Sequence, residues 1–141
     1  FDHSWANKME EDHDFMVISL ENNLQLTAYY IYDEKGHWPK SGSRINISFP
    51  DGSQKHIGEK DIKFKIIEIW QSGVTDKNYR LGWDIAIPHE NIHLQLTPAF
   101  HQQEVSAMGM EFWMGLAHVK ADISGKKSYG KSFLMLQGYE K

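Results

Sequence analysis

The chain has 141 residues, 40% hydrophobic, 24% charged and 13% aromatic, a composition that fits one folded domain with a single core and not a disordered segment. Its formal net charge is −4 with no basic block, which argues against a surface that tracks nucleic-acid phosphates. Cysteine is absent, so disulfides, thiolate nucleophiles and sulfur-ligated metals are excluded, and no apolar run reaches the roughly 20 residues of a membrane-spanning helix.

Residues 1–14 (FDHSWANKMEEDHD) are acidic, histidine-rich and aperiodic, and read as a lead-in segment. The chain opens on Phe1 without a signal peptide, and further sequence upstream is expected. Residues 15–20 form an apolar strand, and Glu21-Asn22-Asn23 a turn. Residues 24–32 then set Leu24, Leu26, Ala28, Tyr30 and Tyr32 against Gln25, Thr27, Tyr29 and Ile31, a hairpin signal. A loop with Gly36, Pro39 and Gly42 follows, then a half-buried strand at 44–49, a Pro50-Asp51-Gly52 turn and a short strand at 53–57. Residues 61–70 place Ile62, Phe64, Ile66, Glu68 and Trp70 on one side, and their β-branched content favours strand.

Residues 70–88 (WQSGVTDKNYRLGWDIAIP) are the stretch around which the fold is organised. Trp70 and Trp83 bracket a Ser-Gly turn, and Trp83 is predicted to open an alternating strand that stops at Pro88. Each indole is costly to leave in water and has one N–H to satisfy. A strand at 92–97, a polar strand or crossing loop at 101–105, and long strands at 110–121 and 128–138 complete the chain. About eight to ten strands result, with the spacing of an up-and-down barrel or a sandwich.

His89-Glu90-Asn91-Ile92-His93 matches the zinc-peptidase pattern H-E-x-x-H, whose chemistry needs both histidines on adjacent turns of one helix. Here Pro88 precedes it and His93 begins a strand, so roughly 13 Å would separate the two on an extended chain. No metal site and no cofactor are expected. His118 shares a strand face with Phe112, Met114 and Leu116, the setting of a core or pocket-rim histidine. Asp2-His3-Ser4-Trp5, with Tyr29, Tyr30 and Tyr32, is the chemical candidate. A histidine oriented by a carboxylate can donate a proton, and aromatic faces can stabilise a carbocation. The competing reading is an N-terminal strand that tucks Trp5 into the core.

Taken in order, D-H-S-W (2–5), H-D-F-M-V-I-S-L (13–20), L-Q-L-T-A-Y-Y-I-Y-D-E-K-G (24–36), W-Q-S-G (70–73), W-D-I-A-I-P (83–88), L-Q-L-T-P (94–98), H-Q-Q-E (101–104), F-W-M-G-L-A-H-V (112–119) and F-L-M-L-Q-G-Y (133–139) form one set. That set resembles the carotenoid 1,2-hydratase and AttH-like proteins of the lipocalin-like superfamily. The resemblance implies an all-β calycin-type antiparallel barrel. It also implies that residues 1–141 are one lipocalin-like domain, the C-terminal half of a protein with a sister barrel upstream. Relatives include enzymes that protonate and hydrate a terminal double bond of a carotenoid, and fungal pericyclases that fold polyenes.

Carried over by motif, the resemblance places His3, Trp5 and Tyr30 at the chemistry, with Asp2 orienting His3. It places Tyr32, Trp70, Trp83, Trp113, Met114 and His118 against the ligand. Two departures each remove a carboxylate: Tyr32 stands where the hydratases have an aspartate, and Met114 where many relatives have a glutamate. The expected function is binding of an apolar isoprenoid, polyene or lipid-like molecule, with cofactor-free acid–base chemistry on an alkene of hydratase (lyase) or cyclase type. The alternative is a non-enzymatic carrier, or a module that packs against its sister barrel in a cell-envelope protein. A bacterial cell envelope or periplasm is the expected location.

Overall fold

Alternation of apolar and polar residues runs through most of this chain, and it folds as one antiparallel sheet. A computed structural model of the protein describes residues 13–31, 42–107 and 110–139. Its strands are β1 (His13–Leu20), β2 (Gln25–Ile31), β3 (Arg44–Ser48), β4 (Gln54–Gly58), β5 (Lys63–Gln71), β6 (Asn78–Ile87), β7 (Ile92–Pro98), β8 (Glu104–Ala107), β9 (Met110–Ile123) and β10 (Lys126–Gln137). They lie in the order β4-β3-β2-β1-β10-β9-β7-β6-β5, with β8 also paired to β9. The sheet curls until β2 meets β5 and β6: the Tyr30 ring centroid is 5.1 Å from Phe64 and 4.9 Å from Trp83. Lys55 on β4 reaches Glu90, beyond β6, at 2.9 Å. The result is a barrel left open between β4 and β5, which do not pair among the described residues.

Two local features decide which side chains face inward. Along β1, Asp14, Met16, Ile18 and Leu20 are buried and the residues between them are not, as period two requires. β6 breaks this rule. Its register against β5 is irregular between Ile66 and Glu68 and again between Glu68 and Ile69. Glu68 opposes Gly82, where a Cβ would lie 2.7 Å from the Glu68 Cβ, so only glycine fits the irregular register. The shift lets Arg80 and Trp83, three residues apart, both reach Tyr30. Residues 78–83 are all buried, so the strand begins at Asn78 and not at Trp83 as alternation predicts.

Between β7 and β8 the ladder along β9 is interrupted, and a side chain fills the gap. Gln103 Oε1 accepts from the Leu116 N–H at 2.9 Å, and its Nε2 donates to the Phe100 and Leu116 carbonyls at 2.8 and 3.3 Å. The amide takes the place of a missing strand rung, and Gly115 leaves room for it. The β9–β10 hairpin turns on Ser124 and Gly125, at φ +51° and +85°, a two-residue connection in which both residues are left-handed. The strands therefore run further into the predicted 122–127 connection than their alternation indicates.

Candidate functional site

β1 and β2 place Asp14 directly opposite Tyr30. Asp14 lies on the inward face with Met16, Ile18 and Leu20, so its carboxylate sits in an apolar wall. Arg80 answers it from β6: Nη1 lies 3.6 Å from Asp14 Oδ2, with the side chains 1% and 0% exposed. The Gln137 N–H donates to Asp14 Oδ1 at 2.9 Å. The Arg80 guanidinium lies 4.2 Å from the Tyr139 ring centroid and 5.9 Å from that of Tyr30. The edges of Trp83 and Phe64 close the other side of Tyr30. Burial raises the Tyr139 phenol pKa against the opposing pull of Arg80.

Burying an ion pair costs each charge its hydration, and a well-packed apolar replacement is often no less stable. A buried acid–base pair set against a phenol and aromatic rings is therefore a candidate site on physical grounds. It brings together a proton carrier, two opposite charges that cancel at a distance, and rings suited to face a cation.

A second polar cluster lies at the N-terminal end of β6. Glu104 accepts hydrogen bonds from Ser72 Oγ, Thr75 Oγ1 and Tyr79 Oη, each at 2.6 Å. Burial alone would raise the Glu104 carboxyl, but these hydroxyls together hold it below its usual range. Burial and the bond to Glu104 push the Tyr79 phenol well above its usual value. The Ser72 hydroxyl also accepts from the Val74 and Thr75 N–H groups, so the predicted Ser-Gly turn is pinned to β8. Trp70, half-buried, stacks on Tyr79 at 6.1 Å.

The structure separates the residues expected around the ligand. Tyr30, Trp83 and Trp113 are buried inside, and the Trp113 indole N–H donates to the His101 carbonyl at 2.7 Å. Trp70 stands at the rim. Met114 and His118 lie on the outer face of β9, opposite the side that buries Trp113, Ala117 and Val119. His118 is exposed, which corrects the expectation of a core or rim histidine: its strand face was read properly, but that face points outward. Met114 instead lines an outer cleft of about 490 Å³ with His13, Met110, Phe112, Met135 and Gln137. Asp2, His3, Trp5 and Tyr32 lie outside the described residues.

The H-E-x-x-H stretch folds as a 3₁₀ turn (Pro88–Glu90), a left-handed Asn91 and the start of β7. His89 pairs with Asp61 at 3.7 Å and His93 with Asp84. Among the described residues no three histidine or acidic side chains converge as a metal site.

Asp14 and Arg80 were missed by the sequence reading. Asp14 did carry a signal, since a carboxylate in phase with Met16, Ile18 and Leu20 needs a buried partner. Arg80 carried none, because the irregular β6 hides its facing.

The AttH-like family model matches residues 1–139. The chain belongs to the AttH-like family. Among solved structures, a putative AttH from Nitrosomonas europaea superposes with a TM-score of 0.78 at 20% identity, covering 92% of this chain and 39% of that one. Kievitone hydratase from Nectria haematococca superposes with a TM-score of 0.65 at 13% identity, covering 89% of this chain and 40% of that one. The AttH-like chain thus spans about two fifths of the length of these solved proteins, and its curled sheet is their lipocalin-like barrel. No curated protein matches the chain.

Proposed function

We propose that this AttH-like chain binds an apolar small molecule of isoprenoid, polyene or lipid-like chemistry, and carries out cofactor-free acid–base chemistry on one of its double bonds. The observation that carries this reading is the buried Asp14–Arg80 pair set against Tyr30 inside a ring of aromatic side chains. In the proposed reaction His3, oriented by Asp2, supplies or relays a proton to an alkene carbon. The new C–H bond leaves a carbocation flanked by Trp5 and Tyr30. Water adds to the cation and returns a proton to the relay, which completes a hydration; attack by a second double bond of the same molecule closes a ring instead, and the cation this leaves returns a proton to the relay. Asp14 cancels most of the Arg80 charge, so the pair can position Tyr30 without repelling the cation. Asp14 also supplies a carboxylate across from Tyr30, on the strand neighbouring the one where the hydratase pattern keeps its own.

The chain covers about two fifths of its solved relatives, which supports further structure beside this domain; the resemblance implies that it is a sister lipocalin-like domain upstream. One observation favours a second reading, a carrier or packing module: Tyr30 and Trp83 are only 1% and 0% exposed. Turnover of a terminal-alkene isoprenoid, measured with the wild type, His3→Ala and Tyr30→Phe, separates the two. The catalytic reading expects turnover in the wild type and its loss in both variants. Unchanged turnover in His3→Ala removes His3 from the mechanism, and a wild type that binds without turnover favours the carrier.

A further inference from the structure

One face of the sheet departs from the polar exterior expected of an antiparallel barrel. Across β2, β1, β10 and β9 the registers align Tyr29, Phe15, Met135 and Met114 in one outward row. Val17, Phe133 and Leu116 form the next row. Phe133, Met135 and Leu116 are 38%, 41% and 48% exposed. At about 4.8 Å per strand the first row spans roughly 14 Å, and the rows are about 7 Å apart. One step further along the same strands the outward residues become Ser19, Lys131 and His118, so the apolar patch is confined to one end. The cleft of about 490 Å³ opens at that end, and Met114 and Met135 belong to both. Two adjoining apolar rows beside an open cleft, on a face where antiparallel sheets are otherwise polar, are the kind of surface a partner covers.

The occupant follows from chain length. Its solved relatives are polypeptides of which this chain covers 39% and 40%, so those proteins carry substantial further structure. His13, the first residue of β1, lines the cleft beside the patch. The twelve residues ahead of it can span at most about 40 Å, which keeps anything joined to them within reach of this face. We propose that the outer face of β2-β1-β10-β9 seats the sister domain of the same polypeptide, and that the methionine-lined cleft opens onto the seam between the two. This inference rests on the two-barrel reading above.

The test is hydroxyl-radical footprinting of the protein expressed from its complete reading frame, alongside a Phe133→Lys/Leu116→Glu double variant. Both changes point outward and leave the core intact. The proposal expects Met135 and Met114, both retained in the variant, to be oxidised several-fold more slowly in the wild type than in the variant, whose two domains should then melt separately. If the variant does not fold, the wild-type rates decide, each divided by the intrinsic reactivity of its residue type and read against Val74 and Phe100, which are 79% and 60% exposed on other parts of the surface. A two-domain protein in which Met135 and Phe133, so normalised, react as their 41% and 38% exposure in this domain requires overturns the docking face and leaves the two-barrel reading standing. A reading frame without a second domain overturns both, and so does burial of the face by a second copy of this chain alone.

Discussion

Arg80→Met keeps an unbranched side chain of similar reach and deletes its charge. The Asp14 carboxylate, 0% exposed, then loses a cation that stands 3.6 Å away. At an effective dielectric near 20 the direct attraction at that distance is about 5 kcal/mol. Breaking a buried pair by removing one partner typically costs about 3–5 kcal/mol, and this variant should fall in that range. Asp14→Asn/Arg80→Met removes both charges while keeping an oxygen for the Gln137 N–H. It should recover most of the loss and sit within about 2 kcal/mol of the wild type. Equilibrium unfolding in urea measures both. With a slope of about 2 kcal/mol per molar, the single variant shifts the midpoint by roughly 2 M and the double by less than half of that. A single variant that costs under about 1 kcal/mol would refute the coupling, and so would a double-variant loss equal to the sum of the two single ones.

Glu104→Gln leaves three hydroxyls without their charged acceptor and should cost about 2–3 kcal/mol at neutral pH. Because folding lowers the Glu104 pKa, its contribution is full above the unfolded carboxyl value and is lost as pH falls through the folded value. The wild type should therefore lose stability in acid more steeply than the variant, and parallel pH profiles of the unfolding midpoint would contradict this. Gly130→Ala would place a Cβ 2.1 Å from the Ser19 carbonyl oxygen on β1, a backbone clash that should cost more than about 3 kcal/mol. Gly125→Ala meets no atom within 4 Å and pays only for its φ of +85°, about 1 kcal/mol. Thermal melts of the two alanine variants give the comparison directly, and equal losses would contradict the account of β1–β10 packing.

Where one face of a strand is wet and the other dry, period two was legible: β1, β2, β3 and β7 follow from their residues alone. The true start of β6 was hidden because its first six residues are buried on both sides, which leaves no alternation to read. Alternation could group Met114, Leu116 and His118 on one face of β9 but could not say which face is outside, since both faces carry apolar residues there. The outer one is apolar at the very end we assign to a second domain. The pairing of Asp14 with Arg80 depends on long-range curling and on the β5–β6 irregularity, neither of which leaves a local pattern. Gln103 replaces a strand rung with its amide, which no propensity encodes. The resemblance supplied the family and the barrel, while the buried charges beside Tyr30 became visible only in the fold.

Native mass spectrometry of the protein purified from its own host shows whether the proposed apolar, unsaturated molecule is held in the barrel. That protein should carry a stoichiometric mass increment that organic extraction releases as an isoprenoid, polyene or lipid-like compound. Protein that carries no such increment, and gains none when titrated with a conjugated polyene fatty acid, would contradict the proposed binding.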